Sequence, residues 1–251
     1  WKIVRELRKE NGELGVIFVN TFISALLFRL GNVKKNIGYN REGRGFLLDF
    51  SPEINYHKHY INRYAFLFNE YIGNKYVYLP ELSLRYTGQK TFQFDNSHKT
   101  IALYLGCENK EFRKYPDEYA VQLLRLLNRQ GYNLLLIGDE NDNIKHTQYA
   151  EEARIDHLIN LTARTTIEGF INTIANVDLI ITIDSSALHI AAAVKTPFIA
   201  LMGLSTSPTS TILPKVPLGR ILKIENNLIR EEDYIRNITP DLILKTISEL
   251  I

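Results

Sequence analysis

Asp184, Ser185, Ser186 and His189 stand between two apolar runs, LIITI at 179–183 and FIALMG at 198–203. A carboxylate, two hydroxyls and an imidazole this close together can hold a polar ligand. If a helix starts here, its first turn adds unpaired N–H groups and a partial positive charge, which suit a phosphate. The other loops that follow apolar runs carry matching groups. CENKEFRKYP (107–116) brings Cys107, Arg113 and Lys114, and DEND (139–142) brings Glu140. TART (162–165) brings Arg164 and Thr165, and LSTSP (204–208) brings Ser205 and Thr206. Cations, carboxylates and hydroxyls in this mix suit a nucleotide diphosphate. Each residue also has a plainer role open to it. Asp184 or Ser185 can simply cap a helix, His189 can sit in a core, and Glu140 can be an ordinary first-turn acid. Arg113 and Lys114 can be a solvated loop, and Cys107 a packing residue. What points to a site is their shared position after successive strands.

The elements that must position these residues are legible from Thr100 onward. Apolar strands at 100–106, 133–138, 157–161, 179–183 and 198–203 alternate with helical patterns over Pro116–Gln130, 140–154, Thr166–Ala175 and from about Leu188. Strand–helix alternation with continuous apolar strands predicts α/β architecture, a parallel sheet covered on both faces. Ligands of such sheets bind beyond the carboxyl ends of the strands, where all five loops lie. Upstream, VIFV (16–19) reads as a strand, TFISALLFRL (21–30) as a helix, and a short strand is expected around Ile37. A helix over 57–73 carries Tyr60, Ile61, Tyr64, Phe68 and Tyr71 at helical spacing, taken as a core face. Residues 76–99 are weakly patterned and read as a linker. The closing helix has Thr239 as cap and Pro240 in its first turn. The expectation is therefore two α/β units, with only a strand or two in the first. The chain opens at Trp1 inside an apparent helix, and its true N-terminus is expected upstream.

The bulk numbers exclude several classes. The 251 residues carry a formal net charge of +2, too near balance for a strong nucleic-acid field. A single cysteine excludes an internal disulfide and any cysteine-cluster metal site, and the histidines are scattered without ligand spacing. No apolar run reaches the roughly 18–20 residues of a membrane span, and no signal peptide opens the chain. There is no Gly-x-x-x-x-Gly-Lys-Ser/Thr loop, no Gly-x-Gly-x-x-Gly turn and no Gly-x-Ser-x-Gly elbow.

DSSALHIAAAVKTPFIALMGLSTSP (184–208) resembles the signature of glycosyltransferase family 9, the lipopolysaccharide heptosyltransferases. Four further stretches resemble other family segments: FRKYPDEYAVQLLRLL (112–127), NLTARTTIEGFINTIANVDLIITIDSS (160–186), KKNIGYNREGRGFLL (34–48) and ITPDLILKTISELI (238–251). The resemblance implies the GT-B fold, two facing Rossmann-like units. The incomplete acceptor unit would span 1–90 and the donor unit 91–251, with the last helix (239–251) packing back on the first unit. It implies an inverting transferase that moves a heptose from ADP-heptose to the lipopolysaccharide inner core without a metal or cofactor. Such an enzyme would be cytoplasmic or peripheral on the inner membrane and would meet a lipid A–Kdo or core acceptor. Two alternatives accompany it: a family-9 transferase using another nucleotide sugar, and a nucleotide-sugar binding module without turnover. By resemblance, Asp184 meets the donor sugar. Ser185, Ser186 and the backbone between them hold the diphosphate beside His189. Arg113 replaces a phosphate-binding lysine, Glu140 lies near the ribose, and Lys114 and Thr165 join this set. Lys34, Lys35, Arg41 and Arg44 would face acceptor phosphates. Ser186 stands where the family has glycine, and Tyr115 where it has tryptophan. The family's general base is an Asp in a loop ahead of these segments. No stretch before residue 16 matches it, so no base is assigned.

Overall fold

The computed structural model describes residues 1–77, 82–106, 113–203, 213–214, 216–224 and 230–251. Cys107, Ser205 and Thr206 lie outside these residues. The chain divides into two compact units, the first over Trp1–Glu81 and the second over Leu82–Ser207 and Leu213–Ile251.

The first unit is small. Helix α1 (Lys2–Glu10) ends at Asn11, which takes the left-handed conformation. Strand β1 (Leu14–Ile17) and strand β2 (Lys35–Gly38) pair in parallel through helix α2 (Phe22–Leu30). Thr21 caps α2 by accepting from the Ser24 N–H. A 3-10 turn over Arg44–Leu47 and helix α3 (Tyr60–Tyr71) complete the unit. The buried side of α3 carries Arg63, Leu67 and Asn69, whereas Tyr60, Ile61 and Phe68 are exposed. The helix expected at 57–73 is thus present, but three residues of its expected core face are exposed, while Tyr64 and Tyr71 are half-buried against the rings of Phe18 and Phe50. Arg63 takes an inward position because backbone carbonyls satisfy its guanidinium.

The second unit holds six parallel strands: β3 (Thr100–Tyr104), β4 (Asn133–Leu136), β5 (Leu158–Asn160), β6 (Leu179–Ile183), β7 (Phe198–Met202) and β8 (Gly219–Lys223). Their order is β5-β4-β3-β6-β7-β8. The apolar runs are continuous because both faces are covered. Ile101, Leu103, Leu134, Leu136, Ile181 and Leu201 pack on one face with α4 (Asp117–Arg129), α5 (Asn143–Ala153) and α8 (Pro240–Ile247). Ala102, Leu135, Ile180, Phe198 and Ala200 face the other way, onto α6 (Ile167–Ala175) and α7 (Ser186–Val194).

Ile243 and Ile247 of α8, in the last helix, lie in the core of the second unit. Two sequence expectations change. The break between units falls after residue 81 and not at 90, because 82–94 is strapped to the second unit. Leu82, Phe92 and Phe94 pack on its core, Leu84 N–H donates to Ala193 O, and Gly88 N–H donates to Asn172 Oδ1. Strand β8 had no counterpart in the sequence reading. Its Gly219 lies against the buried Phe198 ring, where an added Cβ would sit 2.1 Å from ring carbons.

Candidate active site

Strand order reverses between β3 and β6. From β3 the chain winds outward through β4 and β5, then returns to β6 and winds the other way. The carboxyl edge at this switch point is where open parallel sheets bind ligands. Arg113, beyond β3, and Asp184, directly after β6, meet there as an ion pair, with both side chains largely buried. Arg113 Nε is buried and has no hydrogen-bond partner among the described residues, a donor left over beside the pair. Two sequence-predicted residues 71 positions apart are thus brought together by sheet topology.

Ser185 is the cap of α7. Its Oγ accepts from the Ala187 N–H at 3.2 Å and contacts Thr182 Oγ1 at 3.0 Å. Either hydroxyl can donate in that contact, and Thr182 Oγ1 also lies 2.9 Å from Ile183 O. Ser185 thus serves the helix start as its cap, one of the two roles open to it in the sequence. The Ser186 N–H remains available in the first turn of α7, and the Ser186 side chain is exposed. His189 is half-buried one turn further on, at the i+3 and i+4 spacing from Ser186 and Ser185 that places it on their side of the helix.

Lys114 turns to a different partner. It pairs with Asp117 in the first turn of α4, as Lys145 does at 2.9 Å, and the Tyr149 hydroxyl also donates to Asp117. Burial alone would raise the Asp117 carboxyl. The hydrogen bonds from Lys114, Lys145 and Tyr149 outweigh it and hold the pKa at about 2. The structure thus places Lys114 in a helix-start network apart from the Arg113–Asp184 pair. Tyr115, in the tryptophan position, is fully buried and donates its hydroxyl to Ile238 O at 2.9 Å, which ties α4 to the closing segment.

The loops after β4 and β5 interlock. Glu140 is exposed on a 3-10 turn over Glu140–Asp142, next to Asp142, whose carboxylate lies against Gly106 and Gly138. A Cβ at Gly106 would sit 1.8 Å from Asp142 Oδ1, so the ends of β3 and β4 need glycine for close approach. His146 of α5 is fully buried, and its Nδ1 hydrogen-bonds Thr162 Oγ1 at 2.8 Å while Nε2 has no partner. Burial pushes its imidazole down to about 4, with the Asp139 charge opposing the shift and the Lys114 charge adding to it. The sequence reading missed His146; nothing in its spacing separates it from a surface histidine. Ala163 sits at φ +61, and its N–H donates to Gly138 O. Thr165 and Arg164 line a polar cavity of about 360 Å³ with Gln89, Lys90 and Thr91. Thr165 lies beyond β5, the edge strand of the sheet, directly ahead of Thr166, the cap of α6.

In the first unit, the four basic residues separate. Arg44 is completely buried. Its guanidinium donates to Tyr39 O, Val19 O, Thr21 O, Ser24 Oγ and Asn20 Oδ1, which spends its donors on the chain itself. Arg44 orders the loop after β1 and does not meet an acceptor. Lys34 pairs with Glu13, and Lys35 opens β2, so both lie at the amino end of the strand, away from the ligand edge. Arg41, just past the carboxyl end of β2, is exposed. Among the described residues, no three His, Cys, Asp or Glu side chains come together as a metal site, and no helix is long and apolar enough to cross a membrane.

A doubly wound sheet with a cation–carboxylate pair and a helix start at its switch point defines a Rossmann-like ligand-binding protein. The model of glycosyltransferase family 9 (heptosyltransferase) matches residues 1–232, and the chain belongs to that family; it is a glycosyltransferase. It is 27% identical to lipooligosaccharide heptosyltransferase 2 of Haemophilus influenzae, over all of this chain and 80% of that one. It is 22% identical to lipopolysaccharide heptosyltransferase 2 of Salmonella typhimurium, over all of this chain and 78% of that one. The solved structure of the E. coli ADP-heptose lipopolysaccharide heptosyltransferase II superposes with a TM-score of 0.82 at 22% identity, covering 99% of this chain and 79% of that one. An E. coli heptosyltransferase with ADP-2-deoxy-2-fluoro heptose superposes at 0.74 and 16%, covering 98% and 76%. The fold is of the GT-B type.

Proposed function

We propose that this glycosyltransferase moves a heptose from ADP-heptose to the inner core of lipopolysaccharide. The observation that carries the reading is the Arg113–Asp184 pair at the switch point, at the start of α7. The names of its relatives support the choice of sugar and acceptor. In the reaction, a base takes the proton of the acceptor hydroxyl as its oxygen attacks the anomeric carbon, the bond from that carbon to the diphosphate oxygen breaks, and ADP departs with the electron pair. Inversion follows from attack opposite the leaving group. Arg113 leaves Asp184 to meet the diphosphate, with its unpartnered Nε–H and the N–H groups of α7 stabilising the charge that develops there. Asp184, released, accepts from sugar hydroxyls. The acceptor lies on the first unit and the reaction takes place on the cytoplasmic side of the inner membrane.

The test is a donor screen by calorimetry, followed by mass spectrometry of a heptose-deficient lipopolysaccharide acceptor. Binding of ADP-heptose and a mass gain of one heptose are expected. Binding and transfer of a different nucleotide sugar, with none from ADP-heptose, would sink the donor assignment.

A further inference from the structure

The exposed face of α3 and the loop before it hold a stack that the sequence reading assigned to the core. Arg63 is nearly buried, and its guanidinium lies over the Tyr60 ring at 4.5 Å and the Tyr56 ring at 5.1 Å. The same guanidinium donates to Tyr56 O at 2.6 Å and Lys58 O at 3.0 Å. Tyr56 is therefore pinned by ring and by backbone although it is 49% exposed. The guanidinium of Arg41 rests over the Tyr56 ring at 5.4 Å. Glu42 and Gly43 both take positive φ, a turn that sends Arg41 outward and Arg44 into the core. The three nearest carboxylates in sequence are committed elsewhere. Glu42 accepts from the Phe22 N–H at 3.0 Å, Asp49 from the Asn36 N–H at 2.7 Å and Glu53 from the Asn40 side-chain amide at 2.9 Å. Arg41 has no carboxylate partner among the described residues.

A cation held on a fixed ring, unneutralised, at the carboxyl end of a parallel strand is a preset anion receptor. Most of the entropy a free arginine loses on binding is already spent. We propose that Tyr56 is a positioning residue: its ring holds the Arg41 guanidinium, which the family resemblance sets toward the acceptor, ready for an acidic group of the acceptor sugar, a phosphate ester or a carboxylate. This rests on the transfer reading above, because it takes the acceptor to be an anionic oligosaccharide.

The experiment measures acceptor KM, donor KM, kcat and Tm for Arg41→Gln, Tyr56→Leu, Tyr56→Phe and the Arg41→Gln/Tyr56→Leu pair. Tyr56→Leu is expected to raise acceptor KM about two- to fivefold with donor KM and Tm unchanged, and Tyr56→Phe, which keeps the ring, to restore it. Arg41→Gln is expected to raise it further, and Tyr56→Leu to add nothing once Arg41 is gone. Phosphate is the partner if the Arg41→Gln effect vanishes on a dephosphorylated acceptor, and carboxylate if it persists. An acceptor KM insensitive to Arg41→Gln, or a Tyr56→Leu effect that persists in the Arg41→Gln background, overturns the proposal. Calorimetry with the truncated lipopolysaccharide alone separates the two readings. Binding that needs Arg41 and Tyr56 without turnover overturns the transfer reading and keeps this one, whereas absence of both binding and turnover overturns both.

Discussion

Arg113 and Asp184 neutralise each other across the switch point, so a diphosphate must compete with an existing ion pair. The cost is offset because the incoming ligand offers more negative charge than one carboxylate and reaches the unpartnered Nε–H as well. Arg113→Met is expected to weaken ADP binding by roughly 10- to 100-fold in calorimetry, the value of a charged hydrogen bond. Arg113→Lys should recover only part of it, since an ammonium lacks the planar fork. Ala163 tests a different aspect of the site. An alanine at φ +61 carries strain that glycine would not. Ala163→Gly should stabilise the protein by about 0.5–1 kcal/mol in denaturant unfolding, and the opposite sign would mean that the turn relaxes without it. The residues of the α7 start were readable from composition and spacing alone. Their division of labour was not. Ser185 and Asp184 look alike as caps in sequence, and only their neighbours decide that Ser185 takes the cap and Asp184 the cation.

At the scale of elements, helix α5 holds the loops after β4 and β5 through one buried side chain. His146 is neutral in the fold because burial lowers its pKa to about 4, whereas an unfolded histidine titrates near 6.5. The unfolded state therefore binds the extra proton first as pH falls. The stability that the neutral imidazole confers is complete above about pH 6.5 and is lost progressively toward pH 4, up to roughly 3 kcal/mol. His146→Gln should flatten this limb in urea unfolding measured from pH 7 to 4, and an unchanged slope would show that His146 takes up its proton in the fold as readily as in the unfolded chain. Element boundaries were legible wherever a period and a cap agreed. Strand β6 at 179–183 matches the reading residue for residue, and Thr239 caps α8 as expected, while Thr166, read as the first residue of α6, is its cap. Helix α7 starts two residues earlier than expected because Ser185 serves as its cap. Strand β8 stayed hidden because GRILK shows neither clear alternation nor a long apolar run, and its pairing with β7 supplies what its own sequence lacks.

At the scale of the whole molecule, the ligand edge of the second unit is assembled from segments far apart in sequence. ADP binding should therefore slow amide exchange together at 113–118, 138–142 and 182–190, by up to about a hundredfold at a hundred times Kd. Protection confined to 182–190 would mean that the nucleotide does not reach the loops after β3 and β4. The alternation of apolar strands and helices determined the α/β class and the parallel sheet, because strands buried on both faces must be continuously apolar. The contiguous 184–208 signature, not the alternation, carried the resemblance to the family. Only tertiary structure decided which charges reach a ligand. Arg41 and Arg44 are three residues apart with the same side chain. One rests on an exposed tyrosine ring, and the other is swallowed by five chain acceptors. Burial and partnership are properties of the folded neighbourhood, and no pattern along the chain encodes which way a turn will throw a side chain.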